Sequence, residues 1–265
     1  MKICILDCDD AKAWAPISFS DMFKDFICKE NDSCVLWNIA RENCLPERIN
    51  EYDIVVLTGS RYNCRDCDKL VWIGHLCDFV RQAASTGAPR IYGGCFGCQI
   101  IAHSLGGTVG YNPQNNLILK AEHIKMLSDV VEKHFGPTFT SMYNSTKICE
   151  NHQEEDTNQI ISFNLIESHG DCVLTLPPNS ELLGTSDSCL HEIFITGKEQ
   201  NILACQSHPE FELQYSVYDR IWPEAVERCQ RLQGEDIEIS KQSFANYTGK
   251  DALYMREMIS FFLHK

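Results

Sequence analysis

The sequence RIYGGCFGCQIIA, from Arg90 to Ala102, runs from a short apolar segment through a glycine-rich turn into an apolar helical pattern. Gly93 and Gly97 flank the turn, where a Cβ atom would collide with neighbouring backbone. Cys95 stands at the apex, and a cysteine at a helix N-terminus is favoured as the thiolate by the helix dipole. The pattern predicts a nucleophile elbow, in which a strand ends and a helix begins beneath the nucleophile.

A second stretch, ILACQSHPE from Ile202 to Glu210, supplies the groups that a cysteine nucleophile needs. An apolar strand ends at His208, a candidate general base, and Glu210 lies on the same side of an extended segment. Taken alone, Cys95 is equally well a buried structural cysteine, and His208 a surface residue at a strand end. Together, the two stretches predict a Cys-His-Glu triad in which the carboxylate orients the imidazole.

The two motifs, Gly-x-Cys95-x-Gly-x-Gln99 and His208-x-Glu210, resemble the signature of the class I glutamine amidotransferases over roughly residues 1–215. The segment 52–60 resembles the loop that carries an oxyanion donor in that family, and the blocks GGTVG (106–110) and SHGD (168–171) match as well. The order and spacing of the blocks are most similar to those of stand-alone γ-glutamyl peptidases. Gly94 and Cys98 depart from the family pattern without removing a triad member.

The resemblance implies a role for each matching residue. Cys95 is the expected nucleophile, His208 the base and Glu210 the group that orients it. The backbone N–H groups of Gly59 and Phe96 are the expected oxyanion donors. The residues expected to hold the α-amino and α-carboxylate groups of a glutamyl substrate are Gln99, Ser168, His169, Gly170 and Asp171. For His169 a structural role remains open, because Asp171 alone could make the contact.

Alternating strand and helix patterns predict the fold. Strands are expected at 2–7, 34–39, 53–57 and 90–93, with helices at 18–30, 70–84 and 96–105. This order predicts an α/β fold with a doubly wound, mostly parallel sheet, of the flavodoxin-like and class I amidotransferase type. Further strands are expected at 116–125 and 160–167, and antiparallel ones at 182–186, 191–196 and 202–206, giving a small antiparallel sheet. A helix is expected at 128–135, and the segment Thr138–Asn158 is expected to be a loop.

The chain is expected to form one amidotransferase-like domain, residues 1–215, with a helical C-terminal extension, residues 216–265, packed on it. That extension is helical in pattern from residue 212 and ends in an amphipathic helix at 247–264. Composition narrows the functional classes. A net charge of -14 argues against a nucleic-acid partner. No apolar run is long enough to span a membrane or to act as a signal peptide, so a cytoplasmic location is expected.

The 15 cysteines are expected to be reduced thiols, since they are spread along the chain and often lie in apolar strands. A zinc site built from the Cys64-x-x-Cys67 and Cys95-x-x-Cys98 pairs is an alternative, but Cys95 already belongs to the elbow. We therefore predict no metal and no cofactor.

The predicted activity is hydrolysis of a γ-glutamyl amide bond in a small-molecule substrate, through a thioester on Cys95. The substrate is a γ-glutamyl peptide, a glutathione conjugate or glutamine. One alternative is a glutaminase that delivers ammonia to a separate synthase partner, because this chain holds neither room for a synthase domain nor a phosphate-binding Gly-x-x-x-x-Gly-Lys-Ser/Thr motif. The other is a catalytically inactive regulatory module, which the intact Cys95, His208 and Glu210 argue against.

Overall fold

The computed structural model describes residues 1–137, 139 and 160–265. In this part of the chain, nine strands form one mixed sheet and two form a small antiparallel sheet. The strands are β1 (Lys2–Asp7), β2 (Ser33–Asn38), β3 (Ile54–Leu57), β4 (Arg90–Gly94), β5 (Thr108–Tyr111), β6 (Ile118–Leu127), β7 (Ile160–His169), β8 (Asp171–Thr175), β9 (Glu181–Thr185), β10 (Ile193–Thr196) and β11 (Ile202–Cys205).

The order in the large sheet is β2-β1-β3-β4-β11-β10-β9-β6-β7. The first five strands are parallel to one another, and the remaining pairings are antiparallel. Strands β5 and β8 form the small antiparallel sheet. The predicted fold class, a mostly parallel sheet with a small antiparallel sheet, is therefore confirmed. The strands expected to form the small sheet, at 182–186, 191–196 and 202–206, are instead β9, β10 and β11 of the large sheet. The ligand site of such a fold forms at the carboxyl ends of the parallel strands, which is where β3, β4 and β11 end.

Seven α-helices and two π-helical segments accompany the strands of the described chain. The helices are α1 (Phe19–Ile27), α2 (Ile39–Glu42), α3 (Val71–Thr86), α4 (Phe96–Ser104), α5 (Ser128–Phe135), α6 (Glu235–Ala245) and α7 (Lys250–His264). The π-helical segments are Leu213–Ile221 and Pro223–Arg228, and short 3₁₀ turns occur at Lys12–Trp14, Ile49–Glu51 and Cys64–Asp66. The predicted loop at Thr138–Asn158 lies, apart from residue 139, outside the described residues.

The strands bury alternate side chains in two layers, as a sheet covered on both faces must. Ile3 and Ile5 of β1 pack with α1 and α7 on one face. Cys4 and Leu6 of the same strand pack with α3 and α4 on the other face. Helix α7, at the end of the expected extension, thus shares the core of the sheet. The division of the chain at residue 215 stays a prediction.

Local capping explains where two predicted elements differ from the observed ones. Helix α1 begins at Phe19 because the Ser18 side chain accepts a hydrogen bond from the Asp21 N–H, and the Asp21 carboxylate accepts one from the Ser18 N–H. Strand β2 ends at Asn38, one residue early, because the Asn38 side chain caps the short helix that follows.

The expectation that every cysteine is a reduced thiol is wrong for one pair. Cys28 and Cys34 are joined by a disulfide, with their Cα atoms 6.3 Å apart. Cys28 closes α1 and Cys34 lies in β2, and the short turn between them brings the two side chains within bonding reach. No helix in the described residues has the length and apolar character needed to cross a membrane.

Candidate active site

Cys95 lies between β4 and α4 with φ 50° and ψ -102°, a conformation that only a tightly constrained non-glycine residue adopts. Its N–H donates to the Cys205 carbonyl across 2.8 Å, which ties the turn to β11. A Cβ on Gly97 would collide with the Leu57 carbonyl oxygen, and one on Gly93 would lie 2.6 Å from the Gly97 backbone. The chain therefore makes the sharp, sterically locked turn expected of an elbow.

His208 and Glu210 meet directly after β11. Nδ1 of His208 lies 2.7 Å from Oε1 of Glu210, and both side chains are buried. The backbone N–H of His208 donates to the Ile166 carbonyl at 2.8 Å, which fixes the backbone at this position. The carboxylate thus holds one ring nitrogen and leaves Nε2 available for proton transfer.

The charge state of His208 follows from its neighbours. Burial disfavours the protonated ring, but the Glu210 carboxylate and the adjacent Cys95 outweigh it and raise the pKa of His208 to about 10. Nε2 of His208 makes no hydrogen bond of normal geometry to a described residue. Such bonds are often long before substrate is bound, so the proximity of Cys95 and His208 suits a nucleophile and its base.

Two contacts that hold His208 and its segment in place were not predicted from the sequence motifs. The Phe211 ring stacks on the His208 ring, with centroids 4.0 Å apart and planes inclined by 9°. Arg256 of α7 donates from Nε to the carbonyl of Pro209, the residue between His208 and Glu210, across 2.7 Å. The adjacency of Phe211 to the HPE motif is the only sequence signal for the first support. Nothing local in the sequence points to Arg256.

The two expected oxyanion donors adjoin the nucleophile and the base. The N–H groups of Gly59 and Phe96 donate to no other described residue. Phe96 follows the nucleophile directly, and a Cβ on Gly59 would lie 3.3 Å from Cε1 of His208. Their role as oxyanion donors stays a prediction.

The SHGD block turns from β7 into β8 next to the elbow. The Ser168 carbonyl lies 3.8 Å from Sγ of Cys95. Gln99 donates from Nε2 to the Asp171 carbonyl at 2.9 Å, so α4 and the block are joined. The Asp171 carboxylate accepts from the Arg65 guanidinium at 2.9 Å. The block is thus held from both sides.

His169 is buried and its ring is held inside the protein. Nδ1 lies 3.1 Å from the Asp171 carbonyl, and Nε2 lies 3.4 Å from Oγ of Ser188. Burial, and then the charge of His208, lower the pKa of His169 to about 3, so the ring is neutral at pH 7. These contacts indicate that the side chain braces the loop.

Beneath this loop lie three buried glutamates that the sequence patterns did not single out, Glu122, Glu167 and Glu192. Burial, and then the nearby Glu192 and Glu122, raise the pKa of Glu167 well above its ordinary value. Burial also raises the pKa of Glu192, to about 7, and its carboxylate accepts from the Ser207 N–H at 2.8 Å. The cluster links the strand before Ser168 to the residue before His208.

Cys95, His208 and the SHGD loop border a cavity of about 600 Å³. Of the predicted site residues, the structure places on its wall Cys95, Gln99, Ser168, His169, Gly170, Asp171 and His208. Trp14, Phe19 and Phe211 form an aromatic part of the wall, with the Trp14 and Phe19 centroids 4.4 Å apart. Exposed residues such as Lys12 and Arg61 also line it, so the cavity reaches the surface.

The zinc alternative gains no support from the geometry. Within residues 1–137, 139 and 160–265, no three His, Cys, Asp or Glu side chains are grouped so that they could hold a metal ion. Cys64 is buried in a 3₁₀ turn, and Cys67 lies 3.4 Å from Nε2 of His103.

Comparison with known proteins adds to this geometry. The family model "Glutamine amidotransferase class-I" matches residues 26–216. The Saccharomyces cerevisiae protein "Putative glutamine amidotransferase YLR126C" is 26% identical over 91% of this chain and 94% of its own length. Gamma-glutamyl peptidase 2 of Arabidopsis thaliana is 26% identical over 86% of this chain and 82% of its own length.

A crystal structure of a glutamine amidotransferase (TM1158) from Thermotoga maritima superposes on all of this chain and 98% of its own, with a TM-score of 0.69 at 16% identity. At that identity the likeness is one of fold.

Proposed function

Because the chain belongs to the class I glutamine amidotransferase family, we propose that it hydrolyses γ-glutamyl amide bonds through a thioester on Cys95, and that γ-glutamyl peptides are better substrates than glutamine. The observation that carries the proposal is the joint placement of three groups. Cys95 stands on a strained turn at φ 50°, His208 adjoins it, and Glu210 holds that ring at 2.7 Å.

The reaction begins with Cys95 as a thiolate and His208 as an imidazolium, after the thiol proton has moved to Nε2 of His208, and Sγ then attacks the γ-carbonyl carbon of the substrate. A carbon–sulfur bond forms and the carbonyl oxygen becomes an oxyanion, which accepts hydrogen bonds from the N–H groups of Gly59 and Phe96. The imidazolium of His208 gives its proton to the leaving nitrogen, the carbon–nitrogen bond breaks and an amine departs. A γ-glutamyl thioester remains on the enzyme.

Water completes the cycle. His208, now neutral, takes a proton from a water molecule whose oxygen attacks the thioester carbon. The carbon–sulfur bond then breaks, glutamate leaves, and Cys95 and His208 return to their starting charges. Glu210 keeps its negative charge throughout and holds the His208 ring in one orientation.

The substrate's glutamyl group is held by the SHGD loop and Gln99. The backbone of Ser168, Gly170 and Asp171 offers the contacts, while the side chain of His169 braces the loop from inside. The Gln99 amide, already bonded to the Asp171 carbonyl, fixes the distance between α4 and this loop.

The preference for peptides is supported by the size and lining of the cavity. About 600 Å³ falls within the roughly 300–1,000 Å³ of pockets that take drug-sized ligands, well beyond the needs of ammonia as a leaving group. Trp14, Phe19 and Phe211 lie on the side of the base, where the leaving amine must stand to be protonated. An open, partly aromatic wall suits a peptide or conjugate.

The test is a substrate panel on the purified chain, read by mass spectrometry. It compares kcat/KM for glutamine with that for γ-glutamylcysteine, glutathione and a glutathione S-conjugate. Cys95→Ala is the inactive control, and Cys98→Ala is the matched control for loss of a nearby thiol. We expect at least one γ-glutamyl peptide to exceed glutamine. A clear preference for glutamine, or turnover only when a synthase is added, would favour the ammonia-delivering alternative.

A further inference from the structure

One wall of the cavity comes from residues that follow the family match. The match ends at residue 216, whereas seven wall residues lie between positions 220 and 231. This segment begins in the π-helical stretches and packs on β6 and β7 through a third hydrophobic cluster that includes Val217, Ala225 and Leu232. The wall is therefore anchored to the sheet.

Arg231 has a defined position on this wall. Its N–H donates to the Ala225 carbonyl at 2.8 Å, and the next residue, Leu232, is buried. A Cβ built on Gly170 would lie 3.2 Å from Nη2 of Arg231. The guanidinium therefore lies against the glycine of the SHGD loop, and because Arg231 is exposed, a ligand in the cavity can reach it.

Arg231 differs from the other arginines around the cavity because its side chain has no hydrogen-bond or ion-pair partner in the described part of the chain. Arg61 pairs with Asp10, Arg228 pairs with Glu224, and Arg220 donates to the backbone carbonyls of Ala15 and Asp219. Asp171, the acid beside Gly170, is engaged by Arg65. Among residues 1–137, 139 and 160–265, the Arg231 side chain makes no hydrogen bond or ion pair, although the chain carries a net charge of -14. A bound anion would supply the hydrogen-bond and charge partner that the Arg231 guanidinium lacks among these residues.

We infer that Arg231 binds the α-carboxylate of the substrate's glutamyl group and so selects γ-glutamyl compounds, an inference that rests on the proposed function. The planar guanidinium matches a carboxylate with two parallel hydrogen bonds. The loop that it adjoins also carries the Ser168 carbonyl, 3.8 Å from the nucleophile. A glutamyl group attached at Cys95 and lying along this loop brings its α-carboxylate to the guanidinium.

The test crosses two variants with three substrates. Arg231→Gln is compared with Arg228→Gln, a matched loss of a cation that already has an acidic partner on the same wall. The substrates are a γ-glutamyl dipeptide, its 4-aminobutanoyl analogue, which lacks only the α-carboxylate, and the dipeptide with an amidated C-terminus. The readout is the ratio of kcat/KM values within each protein.

The wild-type chain should prefer the γ-glutamyl dipeptide to its 4-aminobutanoyl analogue. In Arg231→Gln that preference should shrink about 10- to 100-fold, the range expected for a charge-assisted hydrogen bond. Arg228→Gln should keep the wild-type ratio. An unchanged ratio in Arg231→Gln, or a change confined to the amidated dipeptide, would overturn the inference, the second result assigning Arg231 to the leaving group.

Failure of the proposed function gives a different result. If the wild-type chain hydrolyses none of the three substrates while remaining folded, the proposed function fails and the inference fails with it. If the wild-type chain is active and the ratios do not respond to Arg231→Gln, only the inference fails.

Discussion

Nδ1 of His208 lies 2.7 Å from Oε1 of Glu210, and both side chains are buried. Removing the base should lower kcat/KM by about 10²–10⁴-fold in His208→Asn, since positioned proton transfer typically contributes that much to a rate. Glu210→Gln keeps the shape but loses the charge that stabilises the imidazolium, so its loss should be smaller.

The double variant tests whether His208 and Glu210 act together. Residues that act as a unit show non-additive losses, so His208→Asn with Glu210→Gln should be little slower than His208→Asn alone. Steady-state kinetics on the four proteins measure this directly. Losses that multiply would mean that the two residues act separately.

The elbow predicts a steric effect at Gly97. A Cβ there meets the Leu57 carbonyl oxygen, which belongs to β3 and has little room to move. Gly97→Val should lower the free energy of unfolding by about 1–3 kcal/mol and depress kcat. Gly74→Ala, a single added methyl group in α3 whose Cβ lies 3.2 Å from the Cys67 carbonyl, is the control. Normal turnover by a folded Gly97→Val protein would show that the turn is not tight.

Helix α7 predicts a distant effect on the base. Arg256 donates from Nε to the Pro209 carbonyl at 2.7 Å, so Arg256→Gln should release the segment between His208 and Glu210. We expect a lower kcat with a nearly unchanged KM, because the substrate loop is not touched. Arg256→Lys should recover part of the loss. If both variants lose only stability, and kcat per folded molecule is unchanged, Arg256 does not position the base.

His169 predicts a pH dependence of stability. Its pKa is about 3 when folded and near 6.5 when unfolded, so between these values the unfolded state binds a proton that the folded state does not. Its contribution to stability therefore falls as the pH drops from about 6.5 towards 3. Denaturant unfolding at pH 7 and pH 5 should show a smaller acid-induced loss for His169→Gln than for the wild type. Equal losses in the two proteins would contradict the assignment of a neutral, buried ring.

Much of the fold could be predicted from local patterns. The strand before Cys95 and the helix after it follow from an apolar run, two glycines and a helical period, all within the stretch from Arg90 to Ala102. The parallel half of the sheet follows from strands and helices that alternate at short spacing. The triad could be proposed because its members stand next to strand ends.

Other features depend on contacts between distant segments, and no local pattern carries them. The stacking of Phe211 on His208 requires the path that the chain takes after β11. Arg256 and Arg231 reach the site from the C-terminal segment, and their positions depend on how α7 and the π-helical stretches pack. The Cys28–Cys34 disulfide depends on a turn whose shape the composition does not reveal.

The central claim is that Cys95 carries a γ-glutamyl thioester during turnover. The most direct measurement is peptide mapping by mass spectrometry after a reaction with a γ-glutamyl peptide is quenched in acid. We predict a glutamyl adduct on the peptide that contains Cys95, retained in Cys98→Ala and absent in Cys95→Ala. Hydrolysis by the Cys95→Ala protein, or an adduct on another cysteine, would contradict the account.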